Sequence, residues 1–108
     1  MITKKTINIP IFKIKLLIVI ADNIEECLQI DPHIDTDCNS CIVDYGDGRV
    51  TIFIASRDLS IVAHECLHVK NAIWERIGYN PQKDNDEVDA YLLAYIFKEV
   101  KKVIDKHN

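Results

Sequence analysis

The first fifth of the chain carries dense apolar positions without a helical period. Lys4–Ala21 is rich in isoleucine and other β-branched residues and is broken by Pro10. That pattern predicts an irregular first strand followed by a stronger one near Lys13–Ile20, or one bent strand. Asp22-Asn-Ile-Glu25 has the form of a capping box, in which a side chain accepts from the third helical N–H and a glutamate reaches back. It predicts a short helix to about Gln29, ended by Asp31-Pro32, and the turn formers from Pro32 to Ser40 predict a loop. Ile42–Tyr45 and Arg49–Ala55 flank Gly46-Asp47-Gly48, which predicts a hairpin because glycine tolerates positive φ between two β-prone runs.

After this hairpin the period changes. Val62, Cys66, Val69, Ile73 and Ile77 recur at steps of three and four residues, the stripe of an amphipathic helix, with Ser56, Asp58 and Ser60 as candidate N-caps. Gly78, with Pro81 just beyond, closes it. A second stripe, Val88, Leu92, Ile96, Val100 and Val103, predicts a final helix opened by Asp84 to Glu87. Strands followed by two helices indicate an α+β domain with a small, mainly antiparallel twisted sheet. At 108 residues the chain is expected to form a single domain over 1–108.

Composition narrows the classes of function. Hydrophobic residues are 48% and charged residues 28% of the chain, which excludes disorder as the default. The formal net charge of −4 speaks against a nucleic-acid partner held by phosphate neutralisation. Lys98, Lys101, Lys102 and Lys106 sit near the carbonyl end of the last helix, where cations complement its dipole. No run reaches the ~18 apolar residues of a membrane span, and no export signal is evident, so an intracellular, cytoplasmic location with free thiols is expected. Cys38-Asn-Ser-Cys41 is the one suggestive cysteine spacing. It lacks a second pair and a thioredoxin-like setting, so no chemistry is assigned to it.

His64-Glu65-Cys66-Leu67-His68 lies inside the segment whose stripe independently reads as helix. Residues four apart differ by about 40° in direction and about 6 Å in height, so both imidazoles can converge on one ion. Glu65, about 100° round from His64, is placed to act as general base on a water beside that ion. Zn2+ suits imidazole and carboxylate donors, although such a set also accepts cobalt, nickel or copper. The alternative is a solvated polar stripe, because Asn71 and Glu75 continue the same face. Cys66 falls on the apolar side and is expected to be buried.

A catalytic zinc site needs a third protein ligand. Glu75 lies about 10 Å along the axis from His68, beyond reach, and Trp74 stands where a metzincin would place its further histidine. The acidic group Asp84, Asp86, Glu87 and Asp89 at the start of the last helix could fold back over the histidines. Glu87 is the first choice, with Asp86 or Asp89 as substitutes. Against it stands the reading of Asp84-x-x-Glu87 as a capping box. Tyr91, one turn beyond Glu87, could donate to an oxyanion or a metal ligand, or be a core tyrosine with its hydroxyl at the rim.

Ala63-His-Glu-Cys-Leu-His68 together with Asn85-Asp-Glu-Val-Asp-Ala-Tyr-Leu-Leu-Ala-Tyr95 resembles the small His-Glu-x-x-His proteins of phage and prophage genes and, more broadly, the gluzincin clan of metallopeptidases. The resemblance covers about the last half of the chain. It implies a minimal zincin-like core, with Glu87 as third ligand on the helix after the motif. It also implies that the strand before the motif helix, Val50–Ile54, is an edge strand that pairs with extended peptide or protein substrate. Zincin peptidases usually carry a further subdomain walling the cleft, and little follows the last helix here, so an activating partner is a further expectation. The leading expectation is therefore a zinc-dependent peptidase using His64, His68, Glu87, Glu65 and Tyr91. The alternative is a zinc-binding phage or prophage interaction or regulatory protein without proteolysis. A third is a metal-free binding module.

Overall fold

The computed structural model describes residues 1–81 and 86–108. β1 (Ile2–Ile9) and β2 (Ile14–Ala21) are separate antiparallel strands, joined by a 3-10 turn at Pro10–Phe12. Proline supplies the turn with its fixed φ, and Lys13, at φ 53, reverses the chain by donating its N–H to the Pro10 carbonyl. A second 3-10 helix, Ile24–Gln29, follows β2. Its capping box is Asn23 and Glu26, one residue later than the pair expected from sequence. Asn23 is extended and can accept from the Glu26 N–H, and this register buries Ile24 and Cys27.

β3 (Ser40–Asp44) and β4 (Arg49–Ile54) form the predicted hairpin. β4 also pairs in parallel with β2, giving a mixed, mainly antiparallel sheet in the order β1-β2-β4-β3. This corrects the edge assignment of Val50–Ile54. Those residues lie in an interior strand with both backbone edges paired, and their side chains are buried on both faces. The edges are β1 and β3. The two differ: β1 exposes Lys4 and Lys5, charges that discourage strand addition, while β3 runs Ser40-Cys-Ile-Val-Asp44 with no lysine or proline.

α1 (Leu59–Ile77) and α2 (Glu87–His107) cover one face of the sheet. Asp58 is the N-cap of α1, its side chain accepting from the Ser60 N–H, and Gly78 ends the helix at φ 74. Ile14, Leu16, Ile18 and Ile20 of β2 and Val50, Ile52 and Ile54 of β4 pack against Val62, Cys66, Val69 and Ile73 of α1 and Ile96, Val100, Val103 and Ile104 of α2. Fully burying each isoleucine stabilises the fold by about 1.5–3 kcal/mol. Val88 and Ile77, expected on the core stripes, lie at helix ends and are exposed. The alternate residues Val19, Ala21 and Phe53 form a second cluster under Ile24, Cys27 and Ile34.

The helices are antiparallel and pinned at both ends. Near the start of α2, Asp89 receives the Lys70 ammonium at 2.8–2.9 Å and the Trp74 indole N–H. At its end the Asn108 side chain accepts from Arg57, and His107 lies between Thr3, at 2.8 Å, and Asp22, at 2.7 Å. Among the described residues no helix is long and apolar enough to cross a membrane.

Candidate metal centre

Because α1 follows β4 after four residues, Ser60 to His68 is carried beside the start of β3. His64 and His68 project to solvent from the outer side of α1, with ring centroids 4.7 Å apart and Nε2 atoms 3.1 Å apart. Two donors at zinc distances of ~2.0–2.1 Å in tetrahedral geometry are separated by about 3.3 Å. The separation of the two nitrogens, close enough here for one ring to hydrogen-bond the other, is thus near the spacing that two donors to one tetrahedral cation would have.

Glu65 points the other way from α2. It is 9% exposed, and its Oε2 accepts a 2.7 Å hydrogen bond from the hydroxyl of Ser40, at the start of β3. An open hollow of about 450 Å³ lies here, lined by Cys38, Asn39 and Ser40 on one side and Ser60, Ile61, His64 and Glu65 on the other. Sequence reasoning missed Ser40. The available signal was its place at the head of a β-prone run immediately after the loop, which the hairpin sets beside the motif helix.

The carboxylate field of Glu65 is felt nearby. Burial, and then the Glu65 charge, push the Cys66 thiol up to about 12, and the same two causes lead in raising Cys41 to about 11. Both thiols are held protonated at neutral pH, which removes Cys41 as a ready nucleophile. All four cysteines are free, and Cys38 is exposed.

The acidic side chains of α2 stand elsewhere. Lys70 and Trp74 lie about 120° and 80° round α1 from His64, on the flank opposite Glu65. Asp89, bound to both, belongs to that flank. Burial alone would raise its carboxyl, but hydrogen bonds from Lys70 and Trp74 outweigh this and hold it below the usual carboxylate range. It is therefore engaged as a helix clamp. Glu87, two residues earlier and exposed, is level with the turn around Trp74, about 9 Å along the axis beyond His68. Asp86 takes the N-cap position without a side-chain capping bond. The capping box expected of Asp84 with Glu87 rests on Asp84, which lies outside the described residues. Tyr91 is 71% exposed on the outer side of α2.

The structure thus pairs His64 with His68 and Glu65 with Ser40, sets His64 and Glu65 on the wall of one hollow, and leaves Glu87 and Tyr91 apart. Among the described residues no three histidine, cysteine or acidic side chains converge to hold an ion. A smaller hollow of about 280 Å³, among Lys15, Leu17, Tyr45, Arg49 and Thr51, opens on the other face of the sheet. No histidine, cysteine or acid lines it. No protein-family model matches the sequence, and no curated protein or solved structure matches it either.

Proposed function

We propose that this chain is a zinc-dependent peptidase. The observation that carries the reading is the pair of imidazole nitrogens 3.1 Å apart, one of which, on His64, belongs to a residue that lines an open hollow together with Glu65 of the same helix. His64 and His68 would hold the ion and Glu87 would supply the third donor. Zinc, when bound, lowers the pKa of water toward ~7 and polarises a carbonyl. Glu65 accepts the proton released as water adds to the peptide carbonyl and returns it to the leaving amine, so the carboxylate is regenerated. Tyr91 is assigned as a donor to the developing oxyanion, and this assignment, like that of Glu87, requires the first turns of α2 to move along α1 toward His68.

Substrate docking follows from the sheet edge. Asn39 accepts from the Ala55 N–H and Tyr45 donates to the Arg49 carbonyl, so the antiparallel alternation turns the N–H and C=O groups of Ser40, Ile42 and Asp44 to the free side. An extended peptide adding there as a fifth strand runs beside the hollow that holds Glu65. β3 takes the role expected of β4.

A second reading is favoured by the position of Glu87: a zinc-holding interaction protein without proteolysis, using the same two histidines. Placement in the cytoplasm of a bacterial host and a phage or prophage origin belong to both readings. Metal analysis of purified wild type and His64→Ala, followed by peptide-library digestion with wild type and Glu65→Gln, separates them. The peptidase reading expects one zinc per chain, lost in His64→Ala, and cleavage abolished in Glu65→Gln. Stoichiometric zinc without cleavage selects the second reading. No bound metal overturns both.

A further inference from the structure

The side chain of Ser40 and its backbone serve two different faces of the site. Its hydroxyl is turned inward to Glu65 Oε2 at 2.7 Å, within a residue that is 9% exposed. Its N–H and C=O are turned outward by the register that pairs Ser40 with Ile54, leaving them to the free edge of β3. Glu65 is on α1 and Ser40 is on β3, twenty-five residues earlier, so this bond crosses between two separate elements. It is also a bond between buried groups, where a lost partner is costly.

We propose that Ser40 is a positioning residue that holds the Glu65 carboxylate in one rotamer and ties it to the strand on which substrate adds. Glutamate has three side-chain torsions, and freezing them costs free energy unless a partner selects one arrangement. With Oε2 occupied by the serine hydroxyl, Oε1 is the oxygen left to face the hollow and take a proton. A peptide that draws β3 outward or inward shifts Ser40, and through it the base. Ser40 touches neither metal nor substrate side chain in this role. The inference rests on the peptidase reading for its catalytic meaning, but the rotamer lock itself does not.

The test uses the full chain as wild type, Ser40→Ala and Ser40→Thr. Side-chain scalar couplings of isotopically labelled Glu65, measured by NMR without metal, are expected to report one dominant rotamer in wild type and Ser40→Thr, and averaging in Ser40→Ala. In steady-state hydrolysis of a peptide cleaved by the wild type, Ser40→Ala is expected to lower kcat by roughly 10–100-fold with KM changed less than threefold, and Ser40→Thr to restore most of it. Zinc affinity, read by competition with a chromophoric chelator, is expected to change less than threefold in both variants. An unaveraged Glu65 rotamer in a folded Ser40→Ala protein overturns the inference whether or not the wild type is a peptidase. A wild type with neither zinc nor cleavage, but with the rotamer lock intact, overturns the peptidase reading and leaves Ser40 as the residue that holds Glu65.

Discussion

Replacing Asp89 by asparagine should destabilise the fold by about 3 kcal/mol, because it strands a buried ammonium. Lys70 is 6% exposed, and its Nζ lies 2.8–2.9 Å from the Asp89 oxygens. Removing one member of a buried pair costs about 3–5 kcal/mol, since the remaining charge stays desolvated without its counter-ion. The Asp89 side chain is 19% exposed and asparagine can still accept from Trp74, which places the expectation at the low end. Urea denaturation followed by Trp74 fluorescence measures it. With m near 1.5 kcal/mol/M for a domain of this size, the midpoint should fall by about 2 M. Asp89→Leu combined with Lys70→Met should recover most of the loss, because neither charge then remains buried. A single-variant shift below about 0.7 M would show that water solvates the pair and that α2 is not clamped there. Acid should act in the same sense. The folded Asp89 carboxyl lies below its unfolded value, so its contribution is complete above the unfolded pKa of about 3.9 and is lost as pH falls through the lower folded value. Asp89→Asn should therefore flatten the part of the stability profile that falls with acid below about pH 4.

Three further outcomes are expected. Gly48→Ala should cost more than 1 kcal/mol in the same assay, since φ is +94 and a Cβ would meet the Lys13 carbonyl at 2.8 Å; Gly46→Asn, at φ +77 with nothing within 4 Å, should change stability by less than about 0.5 kcal/mol. Ellman's reagent at pH 8 should modify Cys38 first, because Cys41 and Cys66 are held protonated with pKa values of about 11 and about 12; mass mapping that finds Cys41 first would contradict its environment. Zinc at a hundredfold its dissociation constant should add about 2.7 kcal/mol to wild-type stability and nothing to His68→Ala, and Glu87→Ala should weaken zinc binding more than Glu75→Ala. An equal effect of the last two variants would remove Glu87 from the ligand set.

Local pattern was sufficient for much of this molecule. The stripe through Val62, Cys66, Val69 and Ile73 and the glycine at 78 placed α1, and with it the orientation of His64 and His68, because a helix fixes relative direction every residue. Strand order was harder. It depends on pairings between residues far apart in sequence, and the parallel joining of β2 to β4 leaves no mark in either strand alone. One signal was present: Val50-Thr-Ile-Phe-Ile54 is almost continuously apolar, as expected of a strand buried on both faces, whereas Lys4 and Lys5 mark β1 as an edge. The displacement of Glu87 from the histidines has a similar origin. The sequence offered Asp86, Glu87 and Asp89 alike, and the one that packs against α1, Asp89, is chosen by the buried lysine at 70, a residue that a polar-to-apolar pattern places on the surface.

The meeting of Thr3, Asp22 and His107 brings the start of β1 and the last turn of α2 within one hydrogen-bonded knot, where the Met1 amine also approaches Asp22 at 3.4 Å. A short peptide bridging Asn108 to Met1 would thus turn these residues into a ring without stretching them. Such a ring would deprive the denatured chain of freedom and give up only the ion pairs of the Met1 ammonium with Asp22 and Glu26, so it should melt at a higher temperature than its linear parent.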